Sequence, residues 1–192
     1  MTQFFLIRHG ETQWNQQGRL QGSQDSPLTE TGLAQAHSLA QDLSQHRFDA
    51  LYASPLLRAR RTAEIINQHQ QLPLSTHPGL SERSFGDLEG CSRDERSELW
   101  QAMALRFQKN CIDVPGFEPA DSLSKRAMAT LEQLHQRHPQ ACVAVVTHGE
   151  WLRVVGNALA GQPPWSDATK LQGNASVVQL HWPALYASPS KN

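Results

Sequence analysis

Cysteine is scarce in this chain of 192 residues: Cys91, Cys111 and Cys142 are widely spaced, odd in number and lack any metal-ligand pairing. No disulfide framework follows, and reduced thiols in a cytoplasmic protein are the simplest expectation. Long apolar runs are missing too. Phe4-Phe5-Leu6-Ile7 is too short for a signal-peptide core, no basic region precedes it, and nothing elsewhere is long enough to span a membrane. Charge of one sign is also lacking, since 17 Lys and Arg stand against 18 Asp and Glu. A general electrostatic grip on nucleic acid or on an acidic membrane is therefore not expected, although a local basic pocket is compatible with this balance. There is no internal repeat and no low-complexity block. What remains is a single domain over residues 1–192, large enough to bury a substantial core.

The run Phe4–Ile7 reads as a buried strand. Further strands are expected at Ala50–Ala53, at Val143–Thr147 and, last, at Val177–Leu180. Between them lie helical patterns. Pro27 opens a stretch through about Gln45, with Thr29 as N-cap and Leu33, Ala36, Leu39, Ala40 and Leu43 at helical spacing. A second helix is expected from about Pro55 to Gln70, with Leu56, Leu57, Ala59, Ala63, Ile65 and Ile66 facing inward, since proline suits a first turn. Asp94–Gln108, Asp121–His138 and Glu150–Leu159 also read as helices, the second with Leu123, Met128, Leu131 and Leu134 as its apolar stripe. The tail after Trp182 reads as frayed. Strands alternating with helices imply an α/β fold with a mostly parallel sheet covered on both faces. The irregular stretch 86–119 is expected to cap the site.

Chemistry-bearing residues cluster at strand ends. Arg8-His9-Gly10 follows the first strand and Thr147-His148-Gly149 follows the one at Val143. Right-handed crossovers put both ends on one edge of the sheet, where open α/β sheets bind ligands. Arg8 supplies a planar fork of donors for phosphate or carboxylate. Gly10 allows a sharp turn and keeps bulk away from His9. Ser54-Pro55-Leu56-Leu57-Arg58 follows the Ala50–Ala53 strand, and Leu80-Ser81-Glu82-Arg83-Ser84-Phe85-Gly86 carries an acid in a glycine-punctuated loop. A neutral imidazole can attack phosphorus, arginines can hold the equatorial oxygens, and a carboxylic acid can protonate the leaving oxygen.

These four ordered motifs, between Phe4 and about Val178, resemble the histidine phosphatase superfamily, which holds the phosphoglycerate mutases and phosphohistidine-forming phosphatases. The resemblance implies a three-layer α/β/α sandwich of the phosphoglycerate mutase type. It also implies that His9 is the phosphorylated histidine, Arg8 and Arg58 bind phosphate, Glu82 is the proton donor and His148 is the second pocket histidine. Asn15, in Glu11-Thr12-Gln13-Trp14-Asn15, matches a phosphate-contacting asparagine, with Thr12 beside it as a further substrate-binding candidate. Gln21-Gly22 matches a pocket-lining loop. Asn174 matches an Asn-x-Ser segment and is given no catalytic role. Arg83 is open between a substrate contact and a surface ion pair. Ala120-Asp121-Ser122 departs from the family's Gly-Glu-Ser, which leaves Asp121 a capping or supporting role. The remaining histidines (His37, His46, His69, His77, His135, His138 and His181), with Arg60 and Arg61, read as surface residues.

The leading expectation is a metal-independent phosphomonoesterase, without cofactor, acting on a small-molecule phosphate ester. Sugar phosphates and α-ribazole phosphate are among the candidates. A phosphoglycerate mutase is the alternative, but relatives of that type resemble longer chains with a larger insertion after the glutamate segment. A non-catalytic phosphate-binding module is a further reading. A zinc site from His9, His148 and Glu82 is disfavoured because Arg8 and Arg58 repel a divalent cation. Specificity is expected from the cap, where Trp100, Met103, Arg106, Phe107 and Lys109 mix apolar and basic character. Oligomeric state is not readable, and a homodimer is allowed.

Overall fold

A computed structural model describes residues 1–92 and 97–183. In chain order the elements are β1 (Thr2–Arg8), α1 (Gln13–Gln16), α2 (Glu30–Leu43), β2 (Ala50–Ala53), α3 (Leu57–Gln70), β3 (Leu74–Thr76), α4 (Ser97–Ala104), α5 (Ala120–Arg137), β4 (Cys142–Thr147), α6 (Gly149–Leu159) and β5 (Val177–Trp182). The five strands form one sheet in the order β3-β2-β4-β1-β5, parallel except for β5, which runs antiparallel along β1.

The apolar run of β1 is continuous because both faces of the strand are covered. Phe4 and Leu6 pack with Leu123, Leu131, Leu134, Trp151 and Val154 of α5 and α6. Phe5 and Ile7, pointing the other way, pack with Ala36, Leu39, Leu43, Ala59, Ile65 and Ile66 of α2 and α3. All four β1 side chains are at most 2% exposed. Truncating either phenylalanine to alanine would open a cavity costing about 3–5 kcal/mol. Two helices on each face make the three-layer α/β/α sandwich. A third apolar cluster, from Phe85, Leu88, Met103, Ile112, Val114 and Phe117, stands apart from both. Among the described residues no helix is long and apolar enough to cross a membrane.

Several expectations shift in detail. Thr29 caps α2 as expected, its hydroxyl accepting from Gly32 N. The next helix begins at Leu57, beyond Pro55, and Leu57 itself is 64% exposed rather than inward-facing. Of the helix expected over 94–108, residues 94–96 lie outside the described residues, α4 ends at Ala104 and a 3₁₀ turn covers Leu105–Phe107. The short edge strand β3 was not expected. Asp121 lies in the first turn of α5, its backbone N–H bonded to Asn110 and its carboxylate 3.5 Å from Lys125. Arg60 and Arg61 are solvated on α3, paired with Glu64. His135 and His138 are half-buried and bonded to Thr2 and Tyr52, not free on the surface. The side chain of Trp100 and the tail from 184 onward lie outside the described residues.

Candidate active site

The parallel pairing of β1 with β4 sets Arg8 opposite Thr147, so both His-Gly pairs emerge side by side at the C-terminal edge of the sheet. The imidazole centroids of His9 and His148 are 5.2 Å apart. His9 is held at both ends. Its backbone N–H donates to Thr147 O at 3.1 Å, and its carbonyl accepts from Ala175 N and from the Asn174 amide, each at 3.1 Å. Its ring Nδ1 lies 2.7 Å from Gly10 O. A carbonyl can only accept, so Nδ1 carries the proton and Nε2 presents a lone pair. Burial first, then the charges of Arg58 and Arg8, keep the His9 pKa well below the ordinary imidazole value, so the ring stays neutral. Gly10 is required by packing: a Cβ there would come within 2.5 Å of Gly32 O on the first turn of α2.

His148 is wired the other way round. Its Nε2 is 2.7 Å from Ser54 Oγ, while Nδ1 is buried without a protein partner. Ser54 Oγ also accepts from Leu56 N at 3.3 Å, so the hydroxyl proton is available to Nε2 and Nδ1 can be the N–H. His148 is fully buried, and burial followed by Arg58 holds its pKa well below the ordinary value.

Arg8, His9, Asn15, Gln21, Gly22, Arg58 and Glu82 line a cleft of about 130 Å³ together with Arg106 and Glu150. Arg58 enters from the start of α3, and its guanidinium donates to Gln24 O, Asp25 Oδ1 (2.7 Å) and Gly22 O (2.8 Å). Arg8 is anchored by Gln172 O, and the Nε of each arginine is buried without a partner. Asn15 uses its amide oxygen on Thr12 N and Asn174, leaving Nδ2 as the group it can offer the cleft. Gly22 has φ +56°, and a Cβ there would collide with the Glu89 carboxylate. That carboxylate accepts from Ser23 N and Phe85 N, tying the Gln21-Gly22 loop to the glutamate segment.

Glu82 sits at the start of α6, where its carboxylate accepts from Arg83 N at 2.9 Å and from Glu150 N and Trp151 N at 3.2 Å. These bonds favour the anion. Burial opposes them, reinforced by the nearby Glu150 charge, and the net pKa is raised. Arg126 fixes the backbone beneath it, donating to Ser81 O at 2.7 Å and Glu82 O at 2.8 Å while paired with Glu118.

The sequence pattern of the histidine phosphatase superfamily (branch 1) matches residues 4–185. The chain belongs to that superfamily. It is 39% identical to a metal-independent phosphoserine phosphatase of Arabidopsis thaliana over 186 residues, covering 94% of this chain and 76% of the relative. It is 36% identical to an uncharacterized phosphatase, PhoE, of Bacillus subtilis over 171 residues, covering 89% and 84%. The structure of a mycobacterial glucosyl-3-phosphoglycerate phosphatase complexed with VO3 superposes with a TM-score of 0.85 at 27% identity, covering 94% of this chain and 92% of that one. Family and named relatives together make this histidine phosphatase a phosphoric monoester hydrolase.

Two substrate-binding candidates do not reach the cleft of this phosphatase. Thr12 is fully buried as the N-cap of α1, its hydroxyl accepting from Asn15 N. Arg83 is also fully buried, and its guanidinium is committed to Glu118 O, Asn110 O and Glu150, so it makes neither a substrate contact nor a surface pair. Residues that sequence reasoning passed over support the site. Asp25 orients Arg58, Ser54 orients His148, and Asn174 braces His9 and Asn15. Asn174 carried a signal in its match to the Asn-x-Ser segment and Ser54 in opening the motif that ends at Arg58, whereas Asp25 carried none.

Proposed function

We propose that the chain is a metal-independent phosphomonoesterase for small organic phosphate esters, working through a phosphohistidine at His9. The observation that carries this reading is the Nδ1–H bond of His9 to Gly10 O at 2.7 Å, which leaves Nε2 as a buried, neutral nucleophile between two arginines. Nε2 attacks phosphorus, forming the N–P bond as the ester P–O bond breaks. Arg8 and Arg58 hold the equatorial oxygens, and the positive charge they bring is what a divalent metal would otherwise supply. His148 donates from Nδ1 to a third oxygen, and Asn15 assists from Nδ2.

Glu82, whose pKa burial and the Glu150 charge raise, acts as the acid and gives a proton to the departing alkoxide. The resulting carboxylate takes a proton from water, which attacks the phosphohistidine and releases phosphate. The 86–119 segment is read as the cap, and among its described residues Met103 and Arg106 contribute to the cleft wall. Phosphoserine and glucosyl-3-phosphoglycerate, from the names of the relatives, join sugar phosphates and α-ribazole phosphate as esters to try. The three free thiols favour a reducing compartment such as the cytoplasm.

The test is phosphate release from a panel of phosphomonoesters and 3-phosphoglycerate in the presence of EDTA, with acid-sensitive, base-stable labelling of the protein followed in parallel. Release with EDTA present and a phosphohistidine label is the expected result. Interconversion of phosphoglycerates with little release would replace this reading by a mutase. Neither activity would leave a phosphate-binding module.

A further inference from the structure

The cleft contains a cation that phosphoryl transfer does not use. Arg106 follows α4 in the 3₁₀ turn Leu105–Phe107, and its side chain is 18% exposed. Three contacts fix its guanidinium: Nη1 donates to Met103 O at 2.8 Å, Nε stands 3.7 Å from Glu150 Oε1, and the group lies 3.8 Å from the centroid of the Phe107 ring. Among the described residues nothing accepts from its Nη2.

Glu150 does not neutralise Arg106, because it is shared. Arg153 Nη2 lies 2.7 Å and Arg83 Nη1 3.4 Å from its Oε2. The nearby Glu118 is already paired with Arg126. Three guanidiniums thus face one carboxylate, an excess of two positive charges, and both Arg83 and Arg153 are buried on backbone carbonyls as well. Of the three, Arg106 alone lines the cleft. A surplus of charge on a residue that lines a small pocket is satisfied by an anion arriving there.

Resting on the phosphatase reading above, we propose that Arg106 selects substrates whose leaving group carries a carboxylate. The leaving group departs toward Glu82, which accepts from the backbone N–H of Glu150, the residue that also faces Arg106; the phosphoryl group is held by Arg8 and Arg58. A carboxylate fits better than a second phosphate, because one open Nη2 edge suits one carboxylate oxygen whereas a dianionic phosphate calls for several donors. Esters with neutral leaving groups leave Arg106 unpaired in a partly desolvated site and are discriminated against.

The experiment uses matched esters that differ only in the carboxylate: O-phosphoserine against O-phosphoethanolamine, and 3-phosphoglycerate against glycerol 3-phosphate. The intact wild-type protein is expected to favour the carboxylate-bearing member of each pair in kcat/KM. In Arg106→Gln that preference should shrink by roughly 10- to 100-fold, the loss of one charge-assisted hydrogen bond, and Arg106→Lys should restore part of it. Wild-type protein that turns over both members of each pair equally would overturn the proposal. Equal falls for both members in Arg106→Gln would overturn it too, by assigning Arg106 to structure alone. No release from any ester would instead remove the phosphatase reading and this inference with it.

Discussion

The ends of β1 and β4 carry nearly the same local sequence, a histidine and a glycine after an apolar strand, yet the two histidines are anchored through opposite ring nitrogens. His9 spends Nδ1 on the carbonyl of its own neighbour, a contact between adjacent residues that needs nothing else in the fold. His148 spends Nε2 on Ser54, 94 residues away in sequence, and leaves Nδ1 for the cleft. A carbonyl dictates the tautomer, whereas a hydroxyl can give or take a proton. In the proposed mechanism the first arrangement suits a nucleophile and the second a donor. Identical residue types at paired positions therefore acquire different roles from what lies behind each ring.

The comparison breaks most sharply at His9. His9→Ala should abolish both turnover and covalent labelling of the protein, since among the described residues no other side chain at the site presents a ring-nitrogen lone pair, His148 offering its Nδ1 as an N–H; a labelled His9→Ala protein would assign the nucleophile elsewhere. Glu82, brought to the β4 end by the N–H groups of α6, comes next. Glu82→Gln should slow alkyl esters by about 10²–10⁴-fold and aryl esters much less, because a phenolate needs little protonation to leave. The same acid gives a pH signature. With its pKa raised by burial and Glu150, Glu82 loses its proton as pH rises through that value, so the alkyl-to-aryl rate ratio should fall with increasing pH. A flat ratio would count against Glu82 as the acid. His148→Ala should cost less than His9→Ala, about 10²–10³-fold for loss of one preorganised donor, and the protein should still become labelled. Ser54→Ala should have the smallest effect, a few-fold weaker inhibition by free phosphate as His148 loses its preferred tautomer. Ser54→Thr should restore it, and unchanged inhibition in Ser54→Ala would remove Ser54 as a positioning residue.

Much of this was legible in the chain. The β1 run, the α2 cap at Thr29 and the meeting of the two His-Gly pairs follow from apolar patterning and crossover handedness, both properties of local sequence and general topology. Leu57 was misplaced because its apolar character says nothing of which side of the first turn of α3 meets the sheet. The edge strand β3 has three residues, too few for any periodicity. Arg83, which the sequence leaves open between a substrate contact and a surface ion pair, adjoins Glu82 but turns its guanidinium inward to a buried ion pair. Glu82 faces the cleft and Arg83 the buried Glu150. The supporting partners Asp25, Ser54 and Arg126 depend on loops meeting across the sheet edge, which no spacing along the chain announces.

The place of β1 in the sheet has a consequence for how the molecule is made. Of the five strands of this sheet, the first in chain order lies between β4 and β5, the last two in chain order. Until residue 142 or so has emerged, Phe4–Ile7 has neither neighbour to pair with, and a nascent chain must carry this sticky segment through synthesis of all the residues between β1 and β4. The loop after β1 waits longer still, because the Asn174 and Ala175 groups that clamp the His9 carbonyl arrive just before β5. A chain released at the end of α6 would hold every strand of the sheet but one, and a His9 whose carbonyl is not yet clamped.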